Sequence, residues 1–204
     1  MPSAEDQVAS HQFWSGRPVT LEPLSGGLSN ESFIVTDGRS KYVARFGHDI
    51  AVHHVIRTRE AELSRAAADL GISPQLHFAG DGVMIFDFIE GHTFGADDLK
   101  TNLERAVAIV KRVHTEMHEK IRGPGYLFWV WHVLRDYAHL LRQSPTVPAV
   151  LERLMAISVA LEKDAGEPHI CICHSDLLAA NFIDDGQKAL ADRLGIRCFW
   201  QCLV

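Results

Sequence analysis

Residues 170–186 constrain this chain more than any other stretch of it. Ile170 to Cys173 is an apolar run that reads as a strand, and it opens into His174-Ser175-Asp176-Leu177-Leu178-Ala179-Ala180-Asn181. Phe182 and Ile183 lead out to a turn signalled by Asp184-Asp185-Gly186. A loop anchored by an apolar strand at each end holds its polar side chains in place. The two it offers are a carboxylate able to accept a proton, Asp176, and an amide able to hold a divalent cation, Asn181. Taken without the flanking strands, the same pair reads as ordinary loop polars capping a turn.

The rest of the composition narrows the setting. A chain of 204 residues with 47% hydrophobic residues can build one large domain or two lobes around a core. The net charge of −6 argues against a nucleic-acid or anionic-membrane partner. No apolar run reaches the roughly 18–20 residues of a membrane span. Met1 to Gln12 lacks the basic start and apolar centre of a secretory signal. Four Cys fit no disulfide framework at this length, so a cytoplasmic location is expected. Twelve His raise the question of a metal. Cys171, Cys173, His174, Cys198 and Cys202 match no standard zinc spacing, and Cys171 and Cys173 read as thiols in an apolar strand. The scattered His, including His53 and His54, receive no ligand role.

Two textures divide the chain, at 1–90 and 91–204. The first is β-rich. Strands are predicted at Val19 to Leu24, Ser32 to Thr36, Lys41 to Phe46, Gln75 to Ala79 and Val83 to Phe88. Ser25-Gly26-Gly27-Leu28-Ser29-Asn30 and Asp37-Gly38 are turns. One helix is predicted from Val55 to Leu70, stopped by Gly71. Beyond Gly91 the pattern is helical. Asp97 or Asp98 caps a helix with Leu99, Leu103, Ala106, Val107, Val110 and Met117 on one stripe, and two more helices are predicted at Leu127 to Leu141 and Val150 to Leu161.

This order of elements, with the strings Ser25 to Asn30 and His174 to Gly186, resembles the protein-kinase-like fold in its small-molecule branch. That branch holds the choline and ethanolamine kinases, thiamine kinase and the aminoglycoside phosphotransferases. Residues 18 to 188 are most similar to bacterial choline kinase-like proteins. The resemblance implies an α+β, bilobal fold: an N-terminal nucleotide-binding lobe of antiparallel sheet plus one helix, and an incomplete helical C-terminal lobe. It implies ATP with Mg2+, and transfer of the γ-phosphate to the hydroxyl of a small amino alcohol, choline or ethanolamine. A thiamine or aminoglycoside kinase-like enzyme, and a nucleotide-binding pseudokinase without turnover, are the alternatives.

Roles follow from the resemblance residue by residue. The turn carrying Gly26, Gly27, Ser29 and Asn30 would cover the ATP phosphates with backbone N–H groups. Arg45 would contact phosphate oxygens, and Glu60, with Glu62 as its alternate, would pair with it. The carbonyl of Asp87 and the N–H of Ile89 would bind the adenine edge. Asp176 would be the catalytic base, His174 would hold the loop around it, and Asn181 would be a magnesium ligand. Tyr126, Phe128, Trp129, Trp131 and Tyr137 read either as a surface for a quaternary ammonium or as plain core.

The last sixteen residues depart from that pattern. The family continues with a strand close to L-W-L-I-D-W-E-Y-A, whose Asp is the main magnesium ligand, whereas Ala189 to Val204 carries no such string. Back-translating Ala189 to Val204 and reading one base later gives L-W-L-I-D-W-E-Y-A-A-F-G-N-A-L. The expectation is a frameshifted, truncated product of a choline kinase-like gene, with the shift near Lys188 or Ala189. Asp192 then sits one position before the expected ligand, and a one-residue slip in a strand turns a side chain to the opposite face.

Overall fold

The structure, a computed structural model, describes residues 3–24, 31–38, 40–123, 127–167, 169–186, 189–191 and 200–202. Its N-terminal part is a five-stranded sheet of β1 (Thr20–Pro23), β2 (Glu31–Thr36), β3 (Lys41–Phe46), β4 (Leu76–Gly80) and β5 (Val83–Asp87). The order is β1-β2-β3-β5-β4 and every pairing is antiparallel. All five strands lie within one residue of their expected ends. The alternation of side chains explains why the sheet is covered on both faces. Val43, Leu76, Met84 and Phe86 face helix α2 (Arg57–Asp69) through its Ala61. Phe33, Val35, Ala44, Val83 and Ile85 face the other way, onto Val8 and Trp14.

That second cover has no strong local signal in the sequence. It comes from helix α1 (Ala4–Ala9), opened by a reciprocal pair in which the Asp6 N–H donates to Ser3 Oγ and the Ser3 N–H to Asp6 Oδ2, each at 3.1 Å. Trp14 is 1% exposed, and its indole N–H donates to the Val8 carbonyl at 2.7 Å. A helix of six residues gives too little periodicity to stand out in a sequence.

Helix α2 ends as its sequence predicts. Gly71 takes a φ of +65°, the Gly71 N–H donates to the Ala68 carbonyl and the Ile72 N–H to the Ala67 carbonyl. Those two bonds satisfy carbonyls the helix end would otherwise leave open, and they bury Ile72. At the other end the Arg57 N–H donates to Asp49 Oδ1 at 2.8 Å, a cap supplied by a residue eight positions upstream.

The remaining elements are β6 (His92–Thr93), α3 (Ala96–Thr101), α4 (Leu103–Glu116), α5 (Val130–Arg142), α6 (Leu151–Asp164), β7 (His169–Cys171), β8 (Phe182–Asp184), β9 (Ala189–Ala191) and β10 (Trp200–Cys202). Strand β8 lies between β6 and β9, and β10 pairs with β7. No helix among the described residues is long and apolar enough to cross a membrane.

Two helical expectations need correction. The single helix expected after Asp97 is two, broken at Asn102. The Asn102 side-chain amide joins its backbone N–H on the Asp98 carbonyl, and Thr101 Oγ1 donates to the Asp97 carbonyl, so side chains add donors at the break. Its first turn is capped from Gly95, whose N–H donates to Asp98 Oδ2 at 2.8 Å. The buried stripe also differs: Ala106, Val113 and Met117 face inward while Leu103 and Val107 are exposed. Likewise the strand expected through Cys173 stops at Cys171, and Ile172 and Cys173 are buried as loop.

One core ties the two parts together. Leu63, Ala66 and Ala67 of α2 pack with Ile72, with Val113 of α4, with Met117 and with Ile172. Arg112 of α4 adds a hydrogen bond from Nη2 to the Leu70 carbonyl at 2.8 Å. Ile172 stands two residues before His174, so this core fixes where the loop begins.

Candidate active site

The loop between β7 and β8 is built around a sharp reversal at Ser175, which has a φ of +57°. The Asp176 N–H donates back to the His174 carbonyl at 2.7 Å and to His174 Nδ1 at 3.3 Å. A bond spanning two residues with a positive φ at its centre is a strained γ-turn, and such strain persists only where surrounding contacts enforce it. The buried His174 supplies one such contact. Asn181 supplies the other: its Nδ2 donates to the Asp176 carbonyl at 2.7 Å and to Asp176 Oδ2 at 3.1 Å. Asn181 is buried within a short 3-10 turn, Ala179–Asn181, whereas Asp176 is open to solvent. Asp176, Asn181 and His174 therefore form one hydrogen-bonded unit. With its amide nitrogen turned to Asp176, Asn181 keeps its amide oxygen for another partner.

Strand β8 anchors the far side of this unit. Phe182 is 1% exposed and packs with Phe94 and Ala106. Burying such a ring contributes about 1.5–3 kcal/mol. Arg105 of α4 forms a two-pronged bond to Asp184, with Nη2 to Oδ1 at 2.8 Å, and the Gly186 N–H donates to the same Oδ1 at 3.0 Å. The Arg105 guanidinium, helped by the Gly186 N–H, pulls the Asp184 carboxyl down to about 2. Sequence reading assigned Asp184 to a turn and did not connect it to Arg105, which lies 79 residues away.

The segment joining the two parts presses directly on β8. A Cβ at Gly91 would lie 2.5 Å from the Asp184 carbonyl oxygen and 2.8 Å from Ile183 Cγ2, so the approach needs glycine. Just before it, Asp87 closes β5, and its side chain meets His77 at 2.6 Å. Ile89 is half-buried, and its N–H makes no hydrogen bond among the described residues.

On the sheet, Arg45 and Glu60 are both largely buried and stand 4.0 Å apart. The Arg45 guanidinium also lies 4.8 Å from the centroid of the Phe86 ring. Glu60 is shared, since Arg57 binds its other oxygen. Glu62, the alternate partner, instead pairs with Arg59. A cavity of about 280 Å³ opens between α2 and the β4–β5 turn, with Arg45, Arg57, Glu60 and Arg65 among its lining. Neither Asp176 nor Asn181 is among its described lining residues. The link between Arg45 and the loop runs through α2: Glu60 is one helical turn from Leu63, which packs on Ile172.

Gly26, Gly27, Ser29 and Asn30 lie outside the described residues, as do Tyr126, Asp192 and Cys198. Of the other aromatics, Trp131 is buried core, the Trp129 indole donates to Glu162, and Tyr137 stacks on His54.

Known proteins share this fold. No curated protein sequence matches the chain. A choline/ethanolamine kinase family protein from Mesorhizobium loti is 25% identical at a TM-score of 0.75, over 97% of this chain and 65% of that one. The choline kinase LicA from Streptococcus pneumoniae is 20% identical at a TM-score of 0.77, over 94% and 69%. A streptomycin–ATP–APH(2")-IIa ternary complex is 16% identical at a TM-score of 0.64, over 94% and 70%. The chain thus spans about two thirds of the length of these proteins. The family profile described as "Phosphotransferase enzyme family" matches residues 20–191, from the first strand of the sheet through the loop to β9. With that match over most of its length, the chain belongs to the phosphotransferase enzyme family.

Proposed function

We propose that the chain carries the machinery of an ATP-dependent kinase for a small amino alcohol, choline or ethanolamine. Residues 1–90 would form its nucleotide lobe and residues 91–204 its helical lobe. The observation that carries this reading is the hydrogen bonding of Asn181 Nδ2 to the Asp176 backbone carbonyl at 2.7 Å and to its carboxylate Oδ2 at 3.1 Å. It aims one exposed carboxylate, with an amide oxygen beside it, from a loop that cannot relax. In this reading the substrate hydroxyl attacks the γ-phosphorus and gives its proton to Asp176, while the bond to the β-phosphate oxygen breaks and ADP leaves. Arg45, held by Glu60, would orient phosphate oxygens, and the Ile89 N–H and Asp87 carbonyl would take the adenine edge. The oxygen donors at Asp176 and Asn181 suit a hard cation, so Asn181 would hold magnesium through its amide oxygen. Magnesium, when bound, offsets charge on the phosphate oxygens. The higher similarity to the choline kinases than to the streptomycin-bound structure supports an amino alcohol over an aminoglycoside.

A second reading is favoured by Asp192, which sits one position before the carboxylate the family pattern places after β9. Binding would then survive while transfer is small. Both readings are tested by thermal unfolding with ATP and magnesium, then with choline, ethanolamine or streptomycin, alongside a coupled ADP-release assay. Ligand at ten times its Kd adds about 1.4 kcal/mol, a rise of roughly 3–6 °C for a domain this size. The expected result is that rise with ATP, a further rise with choline or ethanolamine, and little ADP release. No response to ATP at millimolar concentration would sink the nucleotide site, and rapid choline-dependent ADP release would sink the impaired-transfer reading.

A further inference from the structure

Directly upstream of the loop, the fold brings a histidine of a distant helix to two cysteines that are neighbours in the sequence. His114 comes from α4, and Cys171 and Cys173 straddle the buried Ile172 at the end of β7. Their ligand-capable nitrogen and sulfur atoms all lie within 4.8 Å of one another, and the two sulfurs are 3.4 Å apart. Scattered histidines were given no ligand role on sequence grounds, and the nearest candidate there was His174. The structure instead turns His174 Nδ1 to the Asp176 N–H, and the imidazole that joins the cysteines is His114.

We propose that His114, Cys171 and Cys173 bind a zinc ion that clamps α4 to the strand feeding the loop. Zinc bonds of about 2.3 Å to sulfur and about 2.0–2.1 Å to nitrogen, at tetrahedral angles, put sulfur atoms about 3.8 Å apart and sulfur and nitrogen about 3.5 Å apart. The observed sulfurs need to part by only a few tenths of an ångström, and the imidazole needs to close by about one. Small rotations of three short side chains supply both. The donor set of two thiolates and one imidazole is what a soft, borderline ion selects over magnesium or calcium. Cys171 and His114 are only half-buried, so an ion and the fourth ligand of a tetrahedral site, a water, can reach the cluster. Binding releases the two thiol protons and forms three metal–ligand bonds, with no redox change.

This differs in kind from magnesium chemistry at Asp176 and Asn181 and does not depend on the substrate. The test uses the full chain, reduced and stripped of metal with a chelator. Cobalt(II) titration should show one equivalent bound, with a thiolate-to-cobalt charge-transfer band in the near ultraviolet and visible bands of a tetrahedral site. Zinc should abolish both bands and raise the Tm. His114→Gln and Cys171→Ser, confirmed as folded by circular dichroism, should each weaken zinc at least tenfold, since losing even an outer partner of a ligand costs about 10–100-fold. Absence of the cobalt bands in the reduced chain would overturn the proposal. So would a spectrum unchanged in His114→Gln, which would mean that thiols alone bind the metal. A Cys171–Cys173 disulfide that forms in air, with no zinc uptake after its reduction, would also overturn it.

Discussion

At the scale of single residues, the loop is stiff because its polar groups satisfy one another. Asn181 spends its amide hydrogens on Asp176, and the Asp176 N–H turns back on His174. The Arg105–Asp184 pair then pins the strand that follows. This pair makes a signed prediction about pH. Asp184 is depressed to about 2 in the folded chain, first by the Arg105 hydrogen bond and then by the Gly186 N–H, against an ordinary value of 3.8. A carboxyl with a lowered folded pKa contributes stability that is complete above its unfolded value and is lost as pH falls through its folded value. Urea midpoints measured from neutral pH downward should therefore start to drop below about pH 4 and continue toward about pH 2. Asp184→Asn should lower the neutral-pH midpoint and make that acid decline shallower. A decline as steep as in the wild type would show that the pair contributes nothing. The steepness will not vanish, because hydrogen bonds to Ser3, Gly95, Arg142 and Arg135 also lower the carboxyls of Asp6, Asp98, Glu152 and Glu162. The contrast with Asp176 and Asn181 shows where sequence reading reaches its limit. Those two sit five positions apart in one string, so their relation is local. Arg105 and Asp184 meet only because α4 crosses β8, and no local pattern encodes that crossing.

At the scale of elements, the sheet was legible and the helices only partly so. Two-residue alternation and glycine turns define strands over five or six positions, with no need to know their partners. Helix faces depend on what they meet. Leu103 and Val107 are as apolar as Val113, yet they point to solvent because α4 is set by its contact with α2 and Ile172. The break at Asn102 likewise turns on two side-chain bonds whose strength composition does not announce. The segment before β6 carries a sharper consequence. Gly91 lets the connecting chain lie against the backbone of β8, and a methyl group there would meet the Asp184 carbonyl oxygen at 2.5 Å. A backbone atom cannot swing aside as a side chain can, so the strand itself must move. Gly91→Ala should cost about 1–3 kcal/mol, the usual range for overpacking, read as a lower urea midpoint with the slope unchanged. Gly123→Ala makes the comparison, because a Cβ there meets nothing within 4 Å although its φ is +86°. Its penalty is backbone strain alone. Equal midpoints for Gly91→Ala and the wild type would refute the close approach.

At the scale of the whole molecule, the exposed apolar surface gathers on one helix pair. Leu134, Leu140 and Leu141 of α5 and Leu154, Ile157 and Leu161 of α6 are all exposed, although Arg135–Glu162 and Arg142–Glu152 bonds join the two helices. Exposed apolar side chains, where they adjoin, form the kind of patch that a partner covers. The solved relatives are about half as long again as this chain, and the family match stops at residue 191. Strand β9 still pairs with β8 through Ala191, in register with Phe182. The pattern is therefore kept up to the point where the one-base-later reading of Ala189 to Val204 begins to restore L-W-L-I-D-W-E-Y. A single inserted or deleted base near codon 188 would account for the loss of the family pattern beyond residue 191. This hypothesis is tested by the codons themselves, because the amino-acid sequence leaves the third bases open. Sequencing the gene from codon 186 to codon 204 should show bases whose shifted reading spells that string and runs on in the open frame. Bases that spell unrelated residues or an early stop when shifted would end the hypothesis. If the string is there, restoring the frame should return a carboxylate to the position after β9. The gain would appear as ADP release in response to choline that the unrepaired chain lacks, and a repaired chain that releases no ADP would mean that this carboxylate is not what transfer needs.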